Sequence, residues 1–330
     1  MVIPAILENN LRLPIISAPM FIISGPELVI AECKAGIVGS FPALNARPQS
    51  LLTEWLTQIE TELANYKAVN PHVIVAPYAV NLIVHKSNDR LEDDIGTCVK
   101  HEVPIIITSL RSLNPSMVER IHAYGGIIFH DVINIRHAEK AIEAGVDGLV
   151  LVCAGAGGHA GTLSPFALVS EIKQFFDGPI ALSGSIANGQ SILAAQALGA
   201  DFAYIGTRFI ASKEANAEQD YKEMLVEHSA KDIVYSSLFT GVDGNYLKPS
   251  ISKAGLDPDN LELGDKNKMK FGSAGGSKSK AWKHIWGAGQ GLGSIKDAPA
   301  VADIIARFET EYDMAKARLD STVLNQPLTK

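Results

Sequence analysis

The sequence predicts an α/β fold, a closed (β/α)₈ TIM barrel with a C-terminal cover segment and a final helix packed on the barrel. Between Leu13 and Ile210, short β-branched apolar runs alternate eight times with amphipathic stretches of helical length. An open doubly wound sheet commonly has about five or six strands, so eight alternations favour a closed barrel. Residues 144–152 and 198–206 are also near copies, each a glycine-marked helix end followed by a strand. Such copies are typical of equivalent repeat units.

The predicted strands are short and apolar without polar alternation, as parallel strands buried on both faces are. They are Pro14–Ala18, Gly36–Ser40, Val73–Ala79, Pro104–Thr108, Gly126–Phe129, Gly148–Val152, Pro179–Ser183 and Phe202–Gly206. The stretches between them have apolar residues at helical spacing. The helices predicted there include Gln49–Tyr66, Asp89–His101, Ser116–Tyr124, Ile135–Ala144, Pro165–Phe176 and Gly189–Leu198.

After the eighth strand the βα pattern ends. Glu214–Ser229 is predicted to be a helix, but residues 231–296 contain loop-forming clusters and no further βα unit. A loop region of this length inside a compact protein is usually functional. We therefore expect a barrel of residues 1–230 and 297–330, completed by a helix over Pro299–Leu319. Residues 231–296 would form an inserted segment, here called the cover segment, over the barrel mouth.

Composition narrows the class of protein. The chain has 330 residues, of which 47% are hydrophobic, and a net charge of −7 with acids and bases interspersed. No basic patch for nucleic acid or a membrane surface is visible, and no apolar run approaches membrane-spanning length. The N-terminus lacks the basic region of a signal peptide. Cys33, Cys98 and Cys153 form no CxxC pair and are interpreted as apolar fillers in a reducing compartment.

These features predict a cytoplasmic protein that acts on a small molecule, with no nucleic-acid or membrane partner. The nine histidines have no ligand-like spacing, so no metal is expected. The oligomeric state stays open, with a homodimer as one option.

A glycine-rich stretch after the sixth predicted strand is the first candidate for part of an active site. There Gly155, Gly157, Gly158 and Gly161 surround His159. Glycines let the backbone turn tightly and approach a ligand closely, and active sites of such barrels lie at the C-terminal ends of strands. His159 is therefore the predicted catalytic residue. A histidine that only caps a loop is the alternative.

The loops after the seventh and eighth strands are candidates for a phosphate site. Ser183, Gly184 and Ser185 follow one strand, and Gly206 and Thr207 follow the next. In these barrels the corresponding loops expose backbone N–H groups at helix N-termini, and the hydroxyls can donate to phosphate oxygens. Two ordinary turns are the alternative.

Polar residues also mark other predicted strand ends. Asn81, the Thr108–Ser109 pair and the His130–Asp131 pair lie at the ends of strands three, four and five, where a barrel would hold a ligand. Because adjacent strand residues face opposite sides, we expect His130 and Asp131 to make local hydrogen bonds rather than form a catalytic pair. At the first strand's end, residues 17–21 supply a rigid turn and two soft apolar side chains suited to a flat ring. A place in the core for Met20 and Phe21 is the alternative.

Several motifs together resemble the nitronate monooxygenases, formerly called 2-nitropropane dioxygenases, over nearly the whole chain. They are Ala-Pro-Met at 18–20, Asn81, Ala-Gly-Gly-His-Ala-Gly at 156–161, Ser-Gly-Ser-Ile at 183–186, Tyr-Ile-Gly-Thr at 204–207 and Trp-Gly-Ala-Gly-Gln-Gly at 286–291. The resemblance implies an FMN-dependent barrel enzyme that oxidises alkyl nitronates, such as propionate 3-nitronate, with O₂ to a carbonyl compound and nitrite. His159 matches the family's catalytic base. The implied FMN contacts are Ala18, Pro19, Met20, Asn81, Thr108, Gly157, Gly158, Ser183, Gly184, Ser185, Gly206, Thr207 and Gln290.

The sequence departs from the family pattern in two places. Many members have Gln-Gly-x-Glu before the Ala-Gly-Gly-His motif, whereas this chain has Val152-Cys153-Ala154-Gly155. The flavin contact implied for that glutamine is therefore missing at Val152, and Gln290 is the residue that could compensate. The cover segment is expected to bring Gln290, Trp282 and Trp286 close to the flavin ring or its phosphate. The other departure is Ser-Gly-Ser-Ile where Gly-Gly-Ile is commoner.

Two roles are open for His159. It could remove the proton α to the nitro group of a neutral nitroalkane, or it could hold a nitronate anion as an imidazolium. A nitronate has already lost that proton, so anion holding is the expectation for the physiological reaction. Two alternative functions of the protein also stay open. One is a flavin-dependent enoyl-acyl-carrier-protein reductase or another NAD(P)H–flavin oxidoreductase, and the other is a flavin-binding barrel without catalysis.

Overall fold

The computed structural model describes residues 1–111, 114–264 and 285–321, and it contains the predicted barrel. Its strands along the chain are β1 (Ile15–Ser17), β2 (Gly39–Pro42), β3 (Tyr78–Val84), β4 (Ile105–Leu110), β5 (Ile127–Val132), β6 (Gly148–Val152), β7 (Gly158–His159), β8 (Ile180–Ser183) and β9 (Phe202–Ile205). All of them except β7 form one parallel sheet in the order β1-β9-β8-β6-β5-β4-β3-β2. The two edges join where the N–H of Ser17 donates to the Val38 carbonyl at 2.8 Å. The predicted (β/α)₈ barrel is therefore confirmed.

Helices fill the connections between these strands. They are α1 (Pro26–Lys34), α2 (Leu51–Val69), α3 (Leu91–Lys100), α4 (Pro115–His122), α5 (Ile135–Glu143), α6 (Pro165–Ile172), α7 (Gly189–Leu198) and the short α8 (Thr207–Ile210). Local sequence explains several of their ends. The side chains of Asn114, Asn134 and Asn188 accept an N–H from the first turn of α4, α5 and α7, and left-handed Gly199 ends α7.

Alternation along the strands separates two apolar layers. Ile105, Ile107 and Phe129 pack inside the barrel, whereas Ile106 and Ile128 pack against the surrounding helices. Alternate residues of a strand face opposite sides, so residues two positions further along from these interior residues also face the interior. The interior positions at the C-terminal ends of β3, β4, β5, β6 and β8 are Asn81, Ser109, Asp131, Val152 and Ser183.

Two predicted strands are displaced from the observed ones. The second begins at Gly39 rather than Gly36, because Gly36 has a φ of +85° and ends the turn after α1. The third is Tyr78–Val84 rather than Val73–Ala79, since Pro77 offers no N–H to a strand ladder. Asn81 consequently lies within β3 instead of after it.

The described part of the cover segment is more regular than the sequence predicts. Strands β10 (Ile233–Ser236) and β11 (Gly244–Leu247) pair antiparallel, and β11 also pairs with β7 by matching Gly244 with His159. The expectation of loop-like structure is wrong here, because four-residue strands give too short a periodicity to be detected. A short helix α10 (Lys248–Lys253) and 3₁₀ turns at Ala230–Asp232 and Gln290–Ser294 complete the described part.

Two further helices hold this segment to the barrel. The one predicted over Glu214–Ser229 is present as the shorter α9 (Gln219–Glu227), and the predicted C-terminal helix is present as α11 (Val301–Ser321). Val301, Ile304, Ile305 and Phe308 of α11 are buried in one cluster with residues of β1 and β9. The final helix therefore packs on the barrel, as expected. Within the described residues, no helix has the length and apolarity needed to cross a membrane.

Candidate active site

A cleft lies at the C-terminal ends of β8 and β9, beside the glycine-rich loop that follows β6. Backbone and hydroxyl groups dominate its wall, and few long side chains enter it. The lining residues are Gly155, Ala156, Gly157, Ser183, Gly184, Ser185, Ile186, Ala187, Tyr204, Gly206, Thr207, Gly289 and Gly291. Both loops that the sequence assigns to a phosphate therefore line one cleft.

Left-handed backbone shapes the loop after β8. Gly184 has a φ of +134°, and Ser185 has a φ of +59°, which is uncommon for a residue with a side chain. These two conformations bend the backbone sharply where the loop lines the cleft. The Ser185 N–H itself donates to the Gly155 carbonyl at 3.3 Å, which ties this loop to the glycine-rich loop.

Several glycines of the site are required by chain packing. A Cβ added to Gly157 would lie 2.7 Å from the backbone nitrogen of Gly289, and one added to Gly289 would lie 2.8 Å from the carbonyl oxygen of Gly155. These glycines let the cover segment lie directly on the loop that carries His159. By contrast, Gly158 has no atom within 4 Å of an added Cβ. Gly157 therefore lines the cleft and also allows close packing of the cover segment, whereas Gly158 has open space around its Cα.

The first strand's end also reaches the cleft. An added Cβ on Gly206 would lie 3.4 Å from Cβ of Ala18 and 3.5 Å from Sδ of Met20, with Pro19 joining the two in the chain. Gln290 lies next to Gly155, where its N–H donates to the Gly155 carbonyl at 2.9 Å and its side chain is exposed.

The structure separates Thr108 from the other predicted contacts. Thr108 is buried between the sheet and the helices, where its hydroxyl is hydrogen-bonded to Nδ1 of His130 at 2.6 Å. It is not brought to the barrel mouth, because its neighbour Ser109 occupies the interior position. Burial lowers the pKa of His130 to about 4, so this ring is neutral in its hydrogen bond.

A chain of polar side chains crosses the interior near the C-terminal ends of β3 to β5. The Asn81 amide donates to Ser109 Oγ at 2.8 Å, and the Ser109 hydroxyl donates to Asp131 Oδ2 at 2.7 Å. Burial raises the pKa of Asp131 to about 7. Within the described chain, Asp131 Oδ1 and the Tyr204 hydroxyl are both buried without a hydrogen-bond partner. His130 and Asp131 thus make separate local bonds, as the strand alternation predicts, and the two unpartnered atoms could contact a ligand.

His159 is fixed by β7, whose pairing with β11 attaches the glycine-rich loop of His159 to the cover segment. Its Nε2 lies 3.0 Å from Oγ1 of Thr240. The ring keeps some accessible surface, but the atoms around it lower its pKa to about 4 by excluding water. A neutral imidazole at pH 7 does not favour the expected imidazolium role, and it leaves His159 able to accept a proton.

The cover segment makes further contacts with the glycine-rich loop of His159. The Asn245 amide donates to the Ala156 carbonyl at 2.7 Å, and the Tyr235 hydroxyl donates to the Ala160 carbonyl at 2.8 Å. Trp286 is stacked on Tyr221 with ring centroids 4.8 Å apart, so it packs in the core and does not line the cleft. Trp282 lies outside the described residues. Sequence reasoning missed Thr240, which lies on the connection between β10 and β11, and Asn245, which lies within the four-residue strand β11.

No metal centre accompanies these groups in the described ranges, where no three His, Cys, Asp or Glu side chains come together as ligands. Among the described side chains, His159 and Asp131 could each transfer a proton, and the hydroxyls of the cleft could hold an anion.

Comparisons with known proteins agree with this geometry. The family model described as nitronate monooxygenase matches residues 6–311. A nitronate monooxygenase of Paraburkholderia phytofirmans is 26% identical, covering 93% of this chain and 94% of its own length. One of Neurospora crassa is 24% identical, covering 92% and 89%.

Solved structures share the fold at lower identity. FabK from Thermotoga maritima is 22% identical with a TM-score of 0.75, covering 96% of this chain and 97% of its own. A nitroalkane oxidase from Streptomyces ansochromogenes is 20% identical with a TM-score of 0.75, covering 96% and 100%. These two likenesses establish the barrel with its additional segment as a shared architecture.

Proposed function

Because this chain belongs to the nitronate monooxygenase family, we propose that it uses FMN and O₂ to convert alkyl nitronates to a carbonyl compound and nitrite. The coarser class, a flavin-dependent oxidoreductase of the nitronate monooxygenase kind, follows from the family. The observation that carries the finer proposal is the position of His159, beside a glycine- and hydroxyl-lined cleft at the C-terminal end of the barrel.

The residues of the cleft fit the phosphate of FMN. Ser183, Ser185 and Thr207 provide hydroxyls at its wall, and the positive φ of Gly184 and Ser185 gives the loop a concave surface. Gly206 brings the backbone close to Ala18 and Met20, which would border the ring. When bound, FMN would supply the electron acceptor for the nitronate and the site of reaction with O₂.

The interior polar chain could contact the other edge of the ring. Asn81, Ser109 and Asp131 form one hydrogen-bonded chain, and its last atom, Asp131 Oδ1, has no partner in the described chain. Val152, where the family resemblance implies a glutamine, is apolar and faces the interior. We therefore assign to Asp131 and Gln290 the polar contacts that a glutamine at 152 would have made.

His159 acts as a base in this proposal. Its lowered pKa keeps the ring neutral at pH 7, so it can take the α-proton of a neutral nitroalkane and form the nitronate in the site. A nitronate supplied from solution needs no such step. The cover segment, residues 231–296, would shield this chemistry from solvent, and its described part is bonded to the His159 loop through Tyr235 and Asn245.

Anaerobic reduction of the purified holoprotein tests the proposal. The protein is mixed with propionate 3-nitronate, ethylnitronate or NADH while the flavin absorbance is recorded, and nitrite is assayed after O₂ is admitted. We expect both nitronates to bleach the flavin and to yield nitrite. Bleaching by NADH alone would identify a reductase, and no bleaching by any of them would identify a flavin-binding protein. Chromatography of the released flavin distinguishes FMN from FAD.

A further inference from the structure

The side chain of Thr207 joins the barrel wall of the cleft to the cover segment. Its Oγ1 accepts the backbone N–H of Gly289 at 2.9 Å, although the two residues are 82 positions apart in the chain. Both residues line the cleft that the proposed function assigns to the FMN phosphate. A backbone N–H can only donate, so the Thr207 oxygen is the acceptor in this bond.

Close packing on either side keeps this contact in place. A Cβ added to Gly289 would lie 2.8 Å from the carbonyl oxygen of Gly155, and one added to Gly157 would lie 3.0 Å from Oγ1 of Thr207. The following residue, Gln290, donates its N–H to the Gly155 carbonyl at 2.9 Å. This part of the cover segment is therefore held between Thr207 and the glycine-rich loop of His159.

Backbone hydrogen bonds continue from this contact to His159. The N–H of Ala288, next to Gly289, donates to the Asn245 carbonyl at 3.3 Å. Asn245 belongs to β11, and β11 pairs with β7 by matching Gly244 with His159. The backbone that Thr207 holds is thus bonded, through one strand, to the backbone of the candidate base.

A phosphate beside Thr207 would strengthen the bond to Gly289. A hydroxyl that accepts one hydrogen bond can still donate its own proton, so Thr207 can hold Gly289 and a phosphate oxygen at the same time. Hydrogen bonds to a charged acceptor are the stronger ones, and bonds that share a hydroxyl polarise one another. Donation to phosphate therefore makes the Thr207 oxygen a better acceptor for the Gly289 N–H.

We propose that Thr207 couples the phosphate site to the cover segment, so that a phosphate bound in the cleft holds residues 286–290 on the His159 loop. The inference rests on the proposed function for identifying that phosphate as the one of FMN. The coupling is an equilibrium property and does not depend on turnover. Riboflavin has the same ring system without the phosphate, so it should occupy the site without this effect.

Hydrogen exchange measured by mass spectrometry tests the coupling in peptides that cover residues 286–292. The apo-protein is saturated with FMN or with riboflavin in phosphate-free buffer, and occupancy is checked by flavin fluorescence. We expect FMN to slow exchange there by about 5- to 150-fold more than riboflavin, the range typical of coupling between two sites. Equal protection by the two flavins, or protection by neither, would overturn the proposal.

Variants of Thr207 assign the effect to its hydroxyl. Thr207→Val keeps the shape of the side chain and should abolish the difference between the flavins, whereas Thr207→Ser should keep it. Ser250→Ala is the matched control, because the Ser250 hydroxyl accepts the Trp286 N–H at 3.0 Å in the same segment and does not line the cleft. It should speed exchange with both flavins and preserve their difference. A folded Thr207→Val protein that keeps the FMN-specific protection would contradict the coupling.

Coupling is reciprocal, so a change in the cover segment should weaken binding of the phosphate. Gly289→Ala places a Cβ 2.8 Å from the Gly155 carbonyl oxygen and should raise the Kd of FMN by about 5- to 150-fold, with little effect on riboflavin. Gly293→Ala is its control, because a Cβ there lies at an ordinary 3.6 Å from Ser229, and both Kd values should stay unchanged. Equal weakening of both flavins in Gly289→Ala would argue against the proposal.

The outcomes for the wild type separate this coupling from the proposed function. A wild type that shows FMN-specific protection but is not reduced by any nitronate would refute the proposed reaction and support the coupling. A wild type that oxidises nitronates but shows no such protection would support the reaction and refute the coupling. Failure to bind FMN at all would refute both.

Discussion

Replacing Asp131 with asparagine should stabilise the flavin-free protein at alkaline pH and have little effect at acid pH. The carboxyl is buried in the barrel interior, where only Ser109 donates to it and Oδ1 has no partner in the described chain. Burial raises its pKa from 3.8 to about 7, so the folded protein has to retain or bind a proton that the unfolded chain releases. A buried carboxylate with so little compensation is a cost to folding that a ligand could relieve.

The sign and size of the change in the free energy of unfolding follow from proton linkage. Between pH 4 and 7 the folded state binds more protons at Asp131 than the unfolded state, so the free energy of unfolding falls as pH rises. Above pH 7 Asp131 is ionised in both states, so its contribution to the free energy of unfolding no longer changes with pH. A shift of about three pH units corresponds to roughly 4 kcal/mol, which we halve to about 2 kcal/mol because the Asp131 side chain keeps some contact with solvent.

Urea denaturation of wild type and Asp131→Asn, measured from pH 4.5 to 8.5, gives the required difference. We expect the advantage of the variant to grow by about 2 kcal/mol across this range and to level off above pH 7. The pH-dependent change is the diagnostic quantity, since an asparagine amide left without an acceptor would add a constant penalty. Ser109→Ala should shift the plateau to higher pH, because its hydroxyl bond lowers the Asp131 pKa. A difference between wild type and Asp131→Asn that is independent of pH would refute the reasoning.

Three other predictions concern the flavin and the base. Gly206→Leu should purify folded without FMN, because its side chain would grow from a Cβ already 3.4 Å from Ala18; flavin content by absorbance checks this, and a full complement of FMN would remove the phosphate assignment. His159→Asn should lose about 10²–10⁴-fold in turnover of nitroethane while using ethylnitronate almost normally, and unchanged rates on both would make the residue structural. Adding FMN to apo-protein should slow amide hydrogen exchange in β10 and β11, measured by mass spectrometry, and equal exchange with and without FMN would count against a cover.

Much of the barrel could be predicted from the sequence because its signals are local. The alternation of apolar strands and amphipathic helices needs no knowledge of distant residues, and Gly199 ends α7 where the glycine pattern indicates. The errors arose where the chain passes through extended backbone outside the sheet. Residues 73–77 have strand-like composition, but Pro77 cannot donate to a ladder, and β3 starts only at Tyr78.

The candidate site was less predictable, because side-chain direction depends on strand register. A shift of one residue reverses the face to which a side chain points. Thr108 and Ser109 are neighbours of similar chemistry, yet Thr108 bonds to His130 outside the barrel and Ser109 bonds to Asp131 inside it. Sequence alone assigns both residues to the end of one strand and gives no reason to choose between them.

The surroundings of His159 include a contact that no local pattern could reveal. Glycines around a histidine indicate space for a ligand, but a Cβ on Gly157 would meet the backbone of Gly289 rather than a cavity. The close packing thus brings the cover segment onto the His159 loop, and with it the hydroxyl of Thr240. The same packing excludes water from the imidazole and lowers its pKa to about 4, so these glycines help to keep the His159 ring neutral at pH 7. A larger residue in place of Gly157 should therefore change the pH dependence of nitroalkane turnover, even in a variant that still binds FMN.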